Sequence, residues 1–153
     1  MHPALSLFPN RFSTGVVALL FLATLWMLPL STSLAETDAS VSVQLNKLET
    51  DNDSCRAYLV LENRSPAAFE SLRLDMVIFD GDGVIARRLA VDAAPLPAGK
   101  TSVRVFPIAG LACADIGRLL LNDVIACQDA SGERRDCLEQ MATDSIAGVP
   151  FIK

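Results

Sequence analysis

The sequence has very little histidine and tryptophan. Its one histidine is His2 and its one tryptophan is Trp26, and both lie within the first 35 residues. If those residues are removed as a leader, the remaining chain has no imidazole for Ser-His-Asp or Cys-His catalysis or for histidine-containing zinc and copper sites. The composition therefore predicts a protein that is not an enzyme and that needs no cofactor.

Basic residues are also in the minority. The 153 residues include 13 Lys and Arg against 18 Asp and Glu, and removing Arg11 with the leader changes the formal net charge from −5 to −6. A surface of this sign repels phosphate groups. We therefore expect no nucleic-acid partner and no anionic membrane surface as a partner.

The first 35 residues have the pattern of a secretory signal peptide. Arg11 precedes an almost wholly apolar run of 16 residues, 15–30, and small residues lead up to Ala35. We predict cleavage after Ala35 and export by the general secretory route, because no twin-arginine pair precedes the run. The alternative is a retained membrane anchor, although the run is shorter than the roughly 20 residues that span a bilayer. With cleavage, the protein is periplasmic or secreted and has no membrane contact.

The four cysteines all follow the leader, and none forms a Cys-x-x-Cys motif. A four-thiolate zinc site and a redox dithiol both require shorter spacings than these. An even number of cysteines in an exported chain indicates structural bonds. We therefore predict two disulfides.

Residues 69–84 contain the clearest secondary-structure pattern in the chain. Leu72, Leu74, Met76 and Ile78 fall on one side of an extended segment, which is typical of a half-buried β-strand. Asp80-Gly81-Asp82-Gly83 follows at once and supplies residues that tolerate positive φ. The stretch predicts a β-hairpin.

Similar strand patterns recur between turn signals along residues 36–138. Residues 116–126 carry an Asn122-Asp123 interruption that we interpret as a bulge, although their apolar positions also share a helical stripe. Seven strands at this spacing predict an all-β, immunoglobulin-like antiparallel β-sandwich. Residues 139–153 have no clear period and are expected to form a loosely docked tail. The predicted strands are 41–49, 55–62, 69–79, 84–91, 101–106, 116–126 and 133–138.

An up-and-down order of these strands predicts which cysteines pair. It places Cys55 and Cys113 at one end of the sandwich, and it places Cys137 opposite Cys127 across a hairpin at the other end. Pairing Cys113 with Cys127 would span a strand of roughly 33 Å, whereas a disulfide joins Cα atoms about 6 Å apart. We therefore predict Cys55–Cys113 and Cys127–Cys137.

Residues 59–106 resemble the FxLYD-type immunoglobulin-like modules of exported prokaryotic proteins. The resemblance rests on the runs LVLENRSPAAFESLRLDMVIFDGDGVI and APLPAGKTSVRVF. It implies fold and export and supplies no catalytic residues, and the four cysteines and Ala98 depart from the family pattern. The matching positions are Asn63, Phe79-Asp80, Gly83, residues 97–99 and Phe106.

The acidic residues offer one weak candidate site. Asp80 and Asp82, in the loop of residues 80–83, could donate oxygens to calcium, but Asp-Gly pairs more often turn the chain, so we predict no metal site there. Asp75 is expected on the solvent side of its strand, and Asp123 is expected to belong to the bulge.

Two arginine pairs could contact an acidic partner. Arg87-Arg88 and Arg134-Arg135 both lie on segments predicted near sheet edges. Charged edges more often prevent aggregation than bind a partner. Together these patterns predict an exported, non-catalytic interaction or accessory module with an unidentified protein partner in the envelope. The alternative is a small-ligand or calcium-binding periplasmic protein that uses residues 80–83.

Overall fold

The computed structural model describes residues 39–153. The predicted leader and its cleavage site after Ala35 lie outside the described residues. Within residues 39–153, no helix has the length and apolar character required to cross a lipid bilayer.

Strands account for most of the described chain, and the first six predicted strands are confirmed. Residues 116–126 lie within a strand, so the helical alternative is wrong. The single helical turn is a short 3-10 helix, Cys113–Asp115, within the part of the chain that the structure describes. The strands are β1 Val41–Asp51, β2 Ser54–Asn63, β3 Phe69–Asp80, β4 Ile85–Asp92, β5 Thr101–Ile108, β6 Ile116–Asp129, β7 Gly132–Glu133, β8 Met141–Ser145 and β9 Phe151–Ile152.

The strands form two sheets that pack as an immunoglobulin-like β-sandwich. One sheet has the order β5-β2-β1-β8, and the other has the order β4-β3-β6-β7, with β9 also paired to β6. Most neighbours are antiparallel, as predicted, but β8 runs parallel to β1 and β9 runs parallel to β6. The predicted fold class is therefore confirmed, with two short parallel pairings at the sheet edges.

Alternation along β3 explains why the sheets stack. The side chains predicted to share one face, Leu72, Leu74, Met76 and Ile78, are all buried and belong to a single core cluster with residues of the facing sheet. Fully burying each such side chain contributes roughly 1.5–3 kcal/mol. The period of two along the strand therefore fixes which face of the sheet meets the core.

The C-terminal part of the domain differs from the prediction. The seventh strand, predicted over 133–138, is limited to β7, and the chain then turns through residues 137–140. The expected loose tail over 139–153 is wrong, because β8 joins one sheet and β9 joins the other. Each strand is too short to show a period of two in the sequence, although Met141 and Phe151 are buried in the core.

Both predicted disulfides are present. Cys55–Cys113 joins the start of β2 to the turn before β6, with a Cα–Cα distance of 4.8 Å. Cys127–Cys137 joins the last part of β6 to the turn before β8, with a Cα–Cα distance of 6.5 Å. The pairing is confirmed, although Cys137 lies in a turn rather than on a strand. By the chain-entropy model, the disulfide that closes the longer loop, Cys55–Cys113, stabilises the folded state by about 4 kcal/mol, and Cys127–Cys137 stabilises it by about 3 kcal/mol.

A buried asparagine fixes one end of the sandwich. Asn63, at the end of β2, is fully buried, and its amide nitrogen donates to the carbonyls of Ala67, Leu96 and Pro97 at 2.8–3.2 Å. Its Oδ1 accepts from the backbone N–H and the hydroxyl of Ser65 at 3.0 and 2.7 Å. One side chain therefore joins the turn after β2 to the loop that enters β5.

The contact between β3 and the first residues of β6 leaves no space for a side chain at Gly117. A Cβ built on Gly117 would lie 2.2 Å from the carbonyl oxygen of Asp80, whereas a Cβ on nearby Gly81 would have no atom of the described residues within 4 Å. We expect Gly117→Ala to lower the free energy of unfolding by about 1–3 kcal/mol or more, because the backbone of Asp80 must move to make room for the added methyl group. The matched control, Gly81→Ala, should change it by less than about 1 kcal/mol. Urea denaturation of the two variants measures the difference, and equal midpoints would contradict it.

Candidate interaction surface

Within the described residues, β5 is the longest edge strand of the sandwich that pairs without a register shift. It has β2 as its neighbour and lies at the end of its sheet. Its register with β2 runs without a shift from Cys55 opposite Ile108 to Glu62 opposite Thr101. The pairings of β3 with β4 and with β6, by contrast, each contain at least one irregularity.

One hydrogen bond establishes which residues of β5 point their backbone outward. The N–H of Asn63 donates to the carbonyl of Lys100 at 2.9 Å, so these two residues form a hydrogen-bonded pair. Such pairs alternate along an antiparallel ladder. Thr101, Val103 and Val105 therefore direct their N–H and C=O groups away from β2, towards the free edge.

Those outward residues also carry exposed apolar side chains. Val103 is 54% exposed and Val105 is 50% exposed. Across the strand pair they face Val60 and Tyr58, which are half-buried on the same outer face. We call these four residues the β5 edge patch. It combines outward-pointing backbone groups with apolar side chains at one place, and among those groups the carbonyl of Val103 accepts a hydrogen bond from Arg104.

The β5 side of the patch is basic, although the protein as a whole is acidic and the β2 side carries Glu62, opposite Thr101, and Tyr58, whose hydroxyl donates to Glu49 at 3.3 Å. Residues 93–114 contain Lys100 and Arg104 and no Asp or Glu. The Arg104 guanidinium donates to the carbonyls of Val103 at 3.1 Å and Pro95 at 2.7 Å. These are neutral acceptors, so the charge of Arg104 is not neutralised by a carboxylate there.

In the opposite sheet, an arginine covers part of the edge strand β4. Arg87 lies on β4, which is an edge strand as the sequence predicts. Its Nε donates to the carbonyl of Ala109 at 3.1 Å and its Nη1 to the carbonyl of Ala86 at 2.7 Å. The other predicted pair, Arg134-Arg135, lies in the turn after β7, where Arg134 contacts Asp129 and Asp136.

The loop of residues 80–83 makes the tight turn between β3 and β4. The Oδ1 of Asp80 accepts the N–H groups of Asp82 at 3.0 Å and Val84 at 2.8 Å, and Gly83 has a φ of 81°. Asp80, Asp82 and Asp115 line an open cleft of about 450 Å³. Within residues 39–153, no group of three or more His, Cys, Asp or Glu side chains is arranged to hold a metal ion.

Asp75 is buried, contrary to the prediction. Its side chain was expected on the solvent side of β3, yet the residue is only 4% exposed. Arg88 binds it through two hydrogen bonds, at 2.9 Å from Nε and 2.7 Å from Nη2, and the amide of Asn122 donates to it at 2.6 Å. Asn122 has no partner in the β3–β6 register, which confirms the predicted bulge. The bulge aims Asn122 at Asp75, and the alternating pattern of β3 alone gave no sign of this.

The hydrogen bonds from Arg88 lower the pKa of Asp75 below its usual range, and the hydrogen bond from Asn122 acts in the same direction, while burial opposes them. The same pairing raises the pKa of Arg88. At the end of β6, hydrogen bonds from the side chain and backbone of Ser131, together with Arg134, lower the pKa of Asp129. Both carboxylates are therefore held in their charged forms by structural contacts.

The fold is that of an immunoglobulin-like β-sandwich, and comparisons with known proteins add little to it. No family model matches the sequence, and no curated protein matches it. Among solved structures, IrmA from Escherichia coli is similar, with 12% identity, a TM-score of 0.49, and coverage of 67% of this chain and 89% of that chain. At this identity and TM-score, the similarity supports no inference about function.

The Asp75 contact predicts a specific pH dependence. We expect Asp75→Asn to lower the free energy of unfolding at neutral pH by about 1–3 kcal/mol, because hydrogen bonds to a charged group are lost. The folded-state pKa of Asp75 lies below the unfolded value, which is about 3.9. The stabilisation is therefore fully present above about pH 4 and is lost as the pH falls through the folded pKa.

Urea denaturation at a series of pH values measures this loss. The difference between wild type and Asp75→Asn should be constant above about pH 5 and should narrow below about pH 4. The control, Arg88→Lys, keeps the positive charge and loses the two-point contact, so it should give an intermediate difference. A difference that stays constant through acid pH would contradict the assignment.

Proposed function

We propose that this chain is an exported, non-catalytic β-sandwich module that binds a protein partner. The observation that carries the proposal is the β5 edge patch, where outward-pointing backbone groups coincide with the exposed side chains of Val103 and Val105. Long, regular, apolar edges are normally blunted in soluble proteins because they pair with other chains. The β5 strand carries Arg104 and Pro107, which are residue types that also protect edges, but its two valines remain exposed, and this exposure supports a binding role.

Export to the periplasm or the cell exterior is supported by the two disulfides. Cys55–Cys113 and Cys127–Cys137 account for all the cysteines. Structural disulfides form and persist in oxidising compartments. The predicted signal peptide, residues 1–35 with cleavage after Ala35, gives the same compartment from independent residues.

A non-catalytic role is supported by the way the charged groups are used. Asp75 and Asp129 are the buried carboxylates of the described residues, and each contacts an arginine. Every buried side-chain nitrogen or oxygen in residues 39–153 also has a hydrogen-bond partner. These polar groups are engaged in holding the fold, which is what a scaffold requires.

Relationship to the FxLYD-type modules is part of the proposal. The positions that carry the resemblance lie at strand ends and turns. Asn63 ends β2, Asp80 ends β3 and Gly83 turns the chain at positive φ. Residues 97–99 precede β5, which contains Phe106. This agreement of positions supports a structural relationship and carries no activity with it.

Crosslinking in the source cells tests the proposal. We expect a tagged full-length chain to be recovered from the envelope fraction with an N-terminus at Glu36 and with a reproducible protein partner. The control is the same chain with the apolar run of residues 15–30 interrupted by charge, which should stay in the cytoplasm and capture nothing. Recovery of the uncleaved chain, or of no partner under several conditions, would contradict export or binding respectively.

The alternative function is calcium or small-ligand binding at residues 80–83. The open cleft lined by Asp80, Asp82 and Asp115 favours it, although within residues 39–153 these carboxylates are not arranged as a group that could hold a metal ion. The engagement of Asp80 Oδ1 in the turn opposes it. We therefore place this function second.

Thermal melting distinguishes the two functions. A calcium site at a hundredfold excess of ion over Kd stabilises by about 2.7 kcal/mol, which raises the Tm of a domain of this size by roughly 10 °C or more. We expect no such rise with calcium chloride relative to magnesium chloride at equal ionic strength. A calcium-specific rise that is lost in Asp82→Asn would favour the alternative.

A further inference from the structure

We infer that the β5 edge binds an extended segment of a partner protein as an added β-strand, and that this segment alternates apolar side chains with carboxylates. The inference rests on the proposed function and specifies the chemistry of the partner. Three features of the β5 edge support it: the direction of its backbone groups, the spacing of its exposed valines and the sign of its local charge.

The outward-facing backbone groups of β5 can form hydrogen bonds with an added strand. Thr101, Val103 and Val105 direct their N–H and C=O groups towards the free edge, as the Asn63–Lys100 hydrogen bond requires. Pro107 belongs to the same outward set, so its missing N–H costs no bond to β2. The carbonyl of Val103 accepts from Arg104 at 3.1 Å and has a second lone pair for an incoming N–H. An incoming strand can therefore pair with the edge without disturbing the sheet behind it. This is the geometry of β-strand addition.

The exposed valines determine what the added strand presents. Val103 and Val105 are two residues apart, so their side chains project from the same outer face. A paired strand places every second side chain beside them, where β-branched and aromatic residues pack best. The half-buried Val60 and Tyr58 continue this apolar surface on β2. The added strand therefore needs apolar residues at alternate positions.

Local charge determines the intervening positions. Arg104 lies between the two valines, and Lys100 directly precedes β5. Since residues 93–114 contain no acidic side chain, neither cation has a carboxylate nearby in sequence. Opposite charges on neighbouring strands stabilise the pairing and like charges destabilise it. Carboxylates between the apolar residues of the partner match this edge.

A second copy of the chain matches it less well. Two β5 strands paired about a two-fold axis would bring two copies of Lys100 and two of Arg104 into one short ladder, without an acidic residue from the 93–114 segment of either copy. Such an arrangement is repulsive at close range. The edge therefore favours an acidic, apolar strand from a different protein.

Selection from a phage-displayed library of random linear peptides on the folded full-length chain tests this inference. We expect enriched peptides to alternate apolar residues with Asp or Glu. Binding of the synthesised peptides to Val103→Thr/Val105→Thr should weaken by about tenfold or more, because apolar contact is lost while β-branching is kept. The matched control is Ile125→Thr, since Ile125 is 52% exposed and lies on the other sheet.

N-methylation of the peptides tests the backbone pairing itself. Methylating the amide nitrogens of alternate residues should abolish binding, whereas methylating the residues between them should have little effect, because only one set of N–H groups faces β5. This readout does not depend on whether a variant of the protein folds. Equal sensitivity at every position would contradict strand addition.

The remaining outcomes separate this inference from the proposed function. Peptides that bind Val103→Thr/Val105→Thr as tightly as they bind the control Ile125→Thr would overturn the β5 site while leaving a binding module in place. A dimer that dissociates in Val103→Thr/Val105→Thr, measured by analytical ultracentrifugation, would identify a second copy as the occupant and overturn the inference. Failure to enrich peptides against a monomeric chain would also overturn it. The proposed function is tested separately, because it fails when crosslinking in the envelope captures no partner, whatever the peptides show.

Discussion

The buried amide of Asn63 is the contact on which the arrangement of β5 depends. Its side chain holds the carbonyls of Leu96 and Pro97, and its own N–H holds the carbonyl of Lys100. These bonds fix where the chain enters β5 and set the register of β5 against β2. Because a slip of one residue would exchange the two faces of the strand, Asn63 indirectly determines that Val103 and Val105 face outward. A buried polar group thereby fixes the composition of an exposed surface.

The disulfides impose a complementary constraint on β6. One bond anchors the turn just before the strand, and the other anchors its last part, so both ends of β6 are tied to segments that lead into the opposite sheet. Between these anchors the strand is irregular, with Asn122 bulged towards Asp75. Fixed at both ends, β6 stays paired with β3 along its length although the register shifts at several points, one of them beside Asp75. The buried Asp75–Arg88 pair is a consequence of that local geometry.

Elements with a long repeating pattern could be predicted from the sequence. The alternation along β3 gave its core face correctly, and the strand order gave both disulfides. The failures share a physical cause, which is that pairing depended on residues distant in sequence. Asp75 alternates as a solvent-facing residue does, but Arg88 and the bulged Asn122 cover it. β8 and β9 are too short to carry a period, and they form because strands already in place offer them an edge.

The same dependence on distant pairing applies to the surface that we assign to binding. The valines of β5 read from the sequence as one face of an ordinary strand, and neither their exposure nor the freedom of the edge is visible there. Both follow from the sheet order, because a chain that crosses from β4 to β5 between the two sheets leaves each of these strands at an edge.

The two edges differ in how they are covered. On β4 the guanidinium of Arg87 donates to the carbonyl of Ala109 and so covers that side. On β5 the guanidinium of Arg104 also folds back onto carbonyls, but it leaves the valine side chains uncovered. The β4 edge also exposes an apolar side chain, Ile85, but the β5 edge has two exposed valines spaced two residues apart beside outward-pointing backbone groups, which is the arrangement that strand addition uses.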